Sequence, residues 1–194
     1  MDAQVIYLFG SGLAGVTAAV AGWTPQDWNR PACGTWSGTD LAGHLVTVIG
    51  WYHDWLDRGL AGIVEPAFGI PDLDRQTAAA LAALPAADGP TLLDEFGIAA
   101  EQYLDRIVQH WDTPFAYPRG LVTAGQHAAV AAWEWHLHAW DLATAAGVLY
   151  QPHDAATLYA RGTECIAAAT GSDPPTLEPA NPWEVMLQRT GRLR

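Results

Sequence analysis

The chain has 194 residues, of which 50% are hydrophobic and 15% charged, and its formal net charge at pH 7 is −12. This length and composition suit a globular protein with a sizeable core and exclude a disordered chain. All nine basic residues are arginine, too thin a basic footprint for nucleic acid or an anionic membrane surface, so a metal cation or a small molecule is the natural partner.

No stretch alternates convincingly with the period of a strand, and the spacing of apolar residues predicts an all-α protein. A first helix covers about residues 2–21, where Val5, Leu8, Phe9, Leu13, Val16 and Val20 recur at steps of three and four and form a stripe facing a core. Gly10, Ser11, Gly12 and Gly15 dilute this segment and no positive charge opens it, so neither a secretory signal nor a membrane span is expected, and the location expected is cytoplasmic. A Pro- and Gly-bearing loop over 29–34 leads to Thr39 or Asp40 as the cap of a second helix. That helix runs to about Arg58, with Leu41, Leu45, Val48, Tyr52 and Trp55 along one broad face.

Residues 59–89 read as a long irregular connection holding Pro66, Pro71, Pro85 and four glycines, with a turn of helix at about 73–83. A connection of this length is either a lid over a site or a crossover between parallel helices of a bundle. A third helix spans about 91–111, starting at Thr91 with Asp94 and Glu95 in its first turn. After a loop from Pro114 to Pro118, a fourth helix runs from about 124 to 146 and closes at Gly147. A fifth covers about 154–170 and ends at Gly171, and the tail beyond Pro174 is proline-rich with a short helical piece near Trp183–Gln188. The expected organisation is one domain over 1–194 with its core ending near 171. It is a four-helix bundle with a long crossover and an additional C-terminal helix, and such bundles place metal sites on inward faces of opposed helices.

Helical geometry sorts the seven histidines. Glu134 and His138 are four residues apart and project from one face, roughly 40° apart, whereas His136 is rotated roughly 200° from Glu134. His44 and His53, nine apart, face opposite sides of the second helix, and His44 is the inward one because it sits beside Leu41, Leu45 and Val48. Two imidazoles and a carboxylate are the ligands of open zinc sites that keep a place for water or substrate. The plainer reading is a buried His–Glu hydrogen bond, with His44 satisfied elsewhere in the core. Asp141 shares the stripe of Glu134 and His138 and either orients a ligand imidazole or serves a tryptophan or arginine. His127 shares it too but lies about 10 Å along the axis, as a pocket residue or a core or surface histidine. Trp51, seven residues after His44, is a candidate wall of the same cavity, and Arg119 is a candidate contact for an acidic substrate or thiol. His53, His110 and His153 read as solvated or capping residues. Cys33 and Cys165 make no CxxC or finger spacing and read as reduced, incidental thiols. No phosphate-binding glycine loop, nucleophile elbow or catalytic carboxylate pair occurs.

Two local sequences say more than the spacing. The stretch from Arg30 to Leu45, through Cys33, Trp36, Asp40-Leu41 and His44, resembles the helix-two entry of the mycothiol-dependent maleylpyruvate isomerase family, which belongs to the DinB-like metal-binding helical bundles. The stretch Glu134-Trp135-His136-Leu137-His138-Ala139-Trp140-Asp141-Leu142-Ala143 resembles that family's Glu-x-x-x-His-x-Trp-Asp-Leu-Ala. The resemblance implies a divalent metal on His44, Glu134 and His138, zinc foremost, with nickel or another divalent ion as alternatives. It also implies a low-molecular-weight thiol that the metal holds as thiolate and that adds to a small electrophile. The family's isomerase carries a second, C-terminal domain that helps complete its active site. This length leaves no room for one, so S-transfer or another addition is expected rather than maleylpyruvate isomerisation. Metal-assisted hydrolysis or isomerisation without thiol, and non-catalytic binding of a metal or small ligand, are the competing readings. A homodimer is left open.

Overall fold

The computed structural model describes residues 1–65, 70–85, 87–174 and 179–193. Pro66 of the connection and residues 175–178 of the proline-rich tail lie outside the described residues.

The fold grows from four long helices. Helix α1 (Ala3–Ala19) is capped by Asp2, whose carboxylate accepts the Gln4 N–H at 2.9 Å. Its stripe buries Val5, Leu8, Phe9 and Val16 against the helix that carries Glu134 and His138. The glycines that dilute this stripe have a packing role. A Cβ on Gly12 would lie 2.9 Å from Trp135 Cβ, so only glycine lets the two helices approach this closely.

A short hairpin follows, β1 (Pro31–Cys33) antiparallel to β2 (Trp36–Ser37) with an irregular register. It leads straight into α2 (Gly38–Leu60). The expected caps Thr39 and Asp40 are corrected to Ser37. Its hydroxyl accepts the Asp40 N–H while the Asp40 carboxylate accepts the Ser37 N–H, a reciprocal capping box that starts the helix earlier. The predicted helical turn in the connection is a full helix, α3 (Ile70–Ala83), packed on α2.

Helix α4 (Gly89–Gln109) starts at an Asp88 cap with a proline in its first positions, so Asp94 and Glu95 fall beyond its first turn, contrary to expectation. The loop expected over 114–118 is also corrected: β3 (Pro114–Tyr117) pairs with β4 (Gly120–Thr123). Strands of four residues are too short to display a period, and Pro114 takes a first position where its missing N–H is harmless. Gly120 has φ +147°, and a Cβ there would run into the Ala169 carbonyl. Thr123 then caps α5 (Ala124–Ala146), which ends at left-handed Gly147. Helix α6 (Ala155–Thr170) ends likewise at Gly171, and α7 (Pro182–Arg189) packs on it.

Helix α1 lies along α5 and α2 along α4, with α6 on the far side of α5, which makes a helical bundle of the DinB-like kind. Among the described residues the β structure is confined to the two small hairpins. Both pack on the ends of the bundle's inner helices and bring side chains to one place.

Candidate metal centre

Helix α5 is buried nearly all round, which is why its polar residues matter: His127, His136, His138 and Asp141 are all buried on it. His138 lies one turn after Glu134, and its Nε2 is 3.6 Å from Glu134 Oε2. Its other nitrogen, Nδ1, is 2.9 Å from Asp141 Oδ2, one turn further on. Asp141 is itself clamped by Arg192, just beyond α7, with Nε donating to Oδ1 at 2.8 Å and a terminal nitrogen to Oδ2 at 2.7 Å. Burial alone would raise the Asp141 carboxyl pKa, but the hydrogen bonds and charges of His138 and Arg192 outweigh it and hold the group ionised, below its ordinary value. An ionised Asp141 takes the proton of Nδ1 as an acceptor, which leaves the Nε2 lone pair of His138 turned toward Glu134.

His44, in the second turn of α2, lies beside His138. Its ring is tilted against Trp36 of β2 with centroids 4.7 Å apart and stands edge-on to His138 at 5.1 Å. Its Nδ1 is buried and has no hydrogen-bond partner among the described residues. Burial first, then the charges of His138 and Arg192, push the His44 pKa down to about 3, so the imidazole is neutral. An orphaned ring nitrogen in the interior costs free energy, on the order of 1–3 kcal/mol, and a neutral ring with such a nitrogen is what a cation would fit.

The grouping of candidate ligand atoms found in the structure is not the predicted trio of His44, Glu134 and His138. Among the described residues, candidate ligand atoms of Cys33, His138 and Asp141 all lie within 4.8 Å of one another, which makes a possible His/Asp/Cys metal site. In the present arrangement both oxygens of Asp141 are already bonded to Arg192 and His138. The Cys33 thiol is pushed up to about 11, by burial first and then by the charge of the neighbouring Asp141 carboxylate. These groups support His138 from behind. The other nitrogen of His138, Nε2, faces Glu134, and its ring edge meets His44.

His44 and Glu134 line a cavity of about 360 Å³ whose wall is made by Trp36, Trp51, Tyr52, Trp55 and Tyr117, with Val48, Thr77, Ala78 and Pro118 between them. The Glu134 side chain is 40% exposed, and its charge contributes to raising the pKa of Tyr52 and Tyr117, both raised first by burial. Trp51 is therefore a wall residue. His127 is not, and this corrects its candidacy as a pocket residue: it is fully buried beneath the wall, edge-on to Tyr52, with Nδ1 2.8 Å from the Tyr103 hydroxyl. Burial brings its pKa down to about 3. Arg119 is exposed on the turn of the β3–β4 hairpin, where its charge acts on Tyr117, and lies outside the wall. His136 turns away, as expected, to the Leu8 carbonyl and the Tyr150 hydroxyl. His53 is corrected from a solvated residue to a bridge between the Ala99 carbonyl and Arg106 on α4. His110 stands at the C-cap of α4, and His153 is exposed.

Arg192 and the position of Cys33 escape the sequence reading. A buried aspartate on a helix stripe calls for a cation, but nothing in the spacing tells which of nine arginines supplies it from 51 residues away.

The bundle and this polar cluster define a DinB-like protein with a site of the metal-binding kind. The family described as the mycothiol maleylpyruvate isomerase N-terminal domain matches residues 9–143, more than half of the chain, and the chain belongs to it. The match takes in Cys33, Trp36, His44, Glu134, His138 and Asp141 and stops short of Arg192. No curated protein and no solved structure matches the chain. The family is mycothiol-related and metal-binding. No helix among the described residues is long and apolar enough to cross a membrane.

Proposed function

We propose that this chain is a metal-dependent enzyme that adds a low-molecular-weight, mycothiol-like thiol to a small electrophile, and that His44, Glu134 and His138 hold its divalent metal, zinc foremost. What supports the reading is that His44 and Glu134 line one cavity, that the His138 ring stands edge-on to His44 with its Nε2 3.6 Å from Glu134, and that His44 Nδ1 is buried without a hydrogen-bond partner among the described residues. A metal bound there supplies a Lewis acid that stabilises a coordinated thiol as thiolate at neutral pH.

The remaining work falls to the chain. Asp141 fixes the tautomer and rotation of His138, and Arg192 keeps Asp141 charged so that it accepts rather than donates. Burial keeps His44 unprotonated and able to donate a lone pair. The aromatic wall excludes water from the reacting pair, which protects a thiolate from the competing proton of solvent. Arg119, exposed on the hairpin turn next to the cavity residue Pro118, is our candidate to receive the polar end of the thiol outside the cavity. In the addition the S–H bond and the π bond of an activated C=C in the electrophile break, an S–C bond forms at one carbon, and the proton forms a C–H bond at the other. Thiol and electrophile thus sum to one adduct with no oxidant or reductant. The whole of 1–194 is read as one domain.

Thiol titration of the cobalt-substituted protein tests this. A sulfur-to-cobalt charge-transfer band in the near ultraviolet is expected. A spectrum unmoved by millimolar thiol would refute the thiol step and leave metal-assisted hydrolysis or isomerisation.

A further inference from the structure

We infer that the cavity is built for a neutral, planar, apolar body, so that the electrophile taken by this enzyme is an aromatic or similarly flat uncharged molecule and not a dicarboxylate. The word electrophile rests on the thiol-addition reading; the shape and charge of the ligand rest on the cavity itself.

Five aromatic rings form the wall, and two of them, Trp51 and Trp55, stand nearly parallel at 24° with centroids 6.5 Å apart, one turn apart on α2. Flat faces of this kind receive a flat ligand by offset or edge contact, and they bury its surface without requiring polar partners. The volume of about 360 Å³ falls at the small end of ligand cavities, which suits a bicyclic ring system.

Charge points the same way. Among the described residues no arginine lines the cavity, and the one formally charged side chain that does is Glu134. The arginines nearest to lining residues in sequence, Arg75 two before Thr77 and Arg119 next to Pro118, are both exposed and outside the lining; Arg75 has an interaction of its own, and the Arg119 charge acts on Tyr117. A ligand carboxylate lodged among the rings would lose its hydration without gaining a cation and would face the Glu134 charge. The reactive part of a ligand has His44 and Glu134 to meet, whereas its body meets the rings together with Val48, Ala78 and Pro118, none of which carries a charge.

The test compares 2-naphthamide with 2-naphthoate, which match in shape and differ in charge, by tryptophan quenching and calorimetry. The full chain is treated with chelator, so that no metal can capture the carboxylate, and circular dichroism verifies that the helices persist. The amide is expected to bind about tenfold or more tightly than the carboxylate. Trp51→Ala should weaken the amide severalfold with the dichroism unchanged, and Glu134→Gln should narrow the gap by improving the carboxylate. Equal or tighter binding of naphthoate, no binding of either probe, or a naphthoate preference abolished by Arg119→Gln would overturn the inference. Because this readout needs neither metal nor thiol, its failure is separable from failure of the cobalt titration.

Discussion

Among single side chains, Asp141 holds the most partners in the site: it accepts from His138 and from Arg192 through two nitrogens, and its charge acts on the neighbouring Cys33 thiol. It touches neither the cavity wall nor the open face of His138, so its influence on a metal passes through the imidazole. Asp141→Asn keeps the shape but offers a neutral acceptor, and it should weaken metal binding about 10–100-fold in competition with a chromophoric chelator while the helical signal is kept. Unchanged affinity would mean that something else orients His138. Arg192→Met, by contrast, strands a carboxylate that is 2% exposed and should cost stability on the order of 3 kcal/mol, read as a lower denaturant midpoint.

Elements differ in how openly they advertise themselves. Ser37 starts α2 and thereby sets the register that turns His44 inward; Ser37→Ala should cost about 1 kcal/mol in urea unfolding. Loss of metal without loss of stability would contradict that assignment of roles. The long helices α1, α2 and α5 were legible because their apolar residues recur over many turns, and the left-handed glycines at 147 and 171 mark two ends cleanly. The inward face of α2 and the shared face of Glu134, His138 and Asp141 follow from the same period. The hairpins were hidden, since four residues carry no period and their prolines resemble breakers. The Ser37 cap was missed because Thr39 and Asp40 offer equally good chemistry nearby, and only the reciprocal bond with Asp40 decides. Arg192 belongs to tertiary packing, which no local rule reaches. His127 was ambiguous for a different reason: its stripe is right, but the rings of Tyr52, Trp55 and Tyr117 stand between it and the cavity.

Taken as a whole the molecule buries neutral histidines, and this has a consequence for acid stability. Burial lowers the pKa of His127 to about 3 and that of His136 to about 4, from an unfolded value near 6.5. Unfolding therefore takes up protons below pH about 6.5, and the stability these rings contribute is intact above that value and lost as pH falls toward 4 and 3. In chelator-treated protein the urea midpoint should drop between pH 7 and pH 5, and more gently in His136→Gln. A midpoint flat across that range would show that the rings are hydrated or protonated in the folded state. The central claim, a divalent metal shared by two distant stretches of this bundle, is tested most directly by elemental analysis of the purified protein beside His44→Ala, with circular dichroism on both. Stoichiometric metal in the first, nearly none in the second and equal helicity are predicted; metal retained by His44→Ala, or none in the parent after incubation with zinc, would contradict the account.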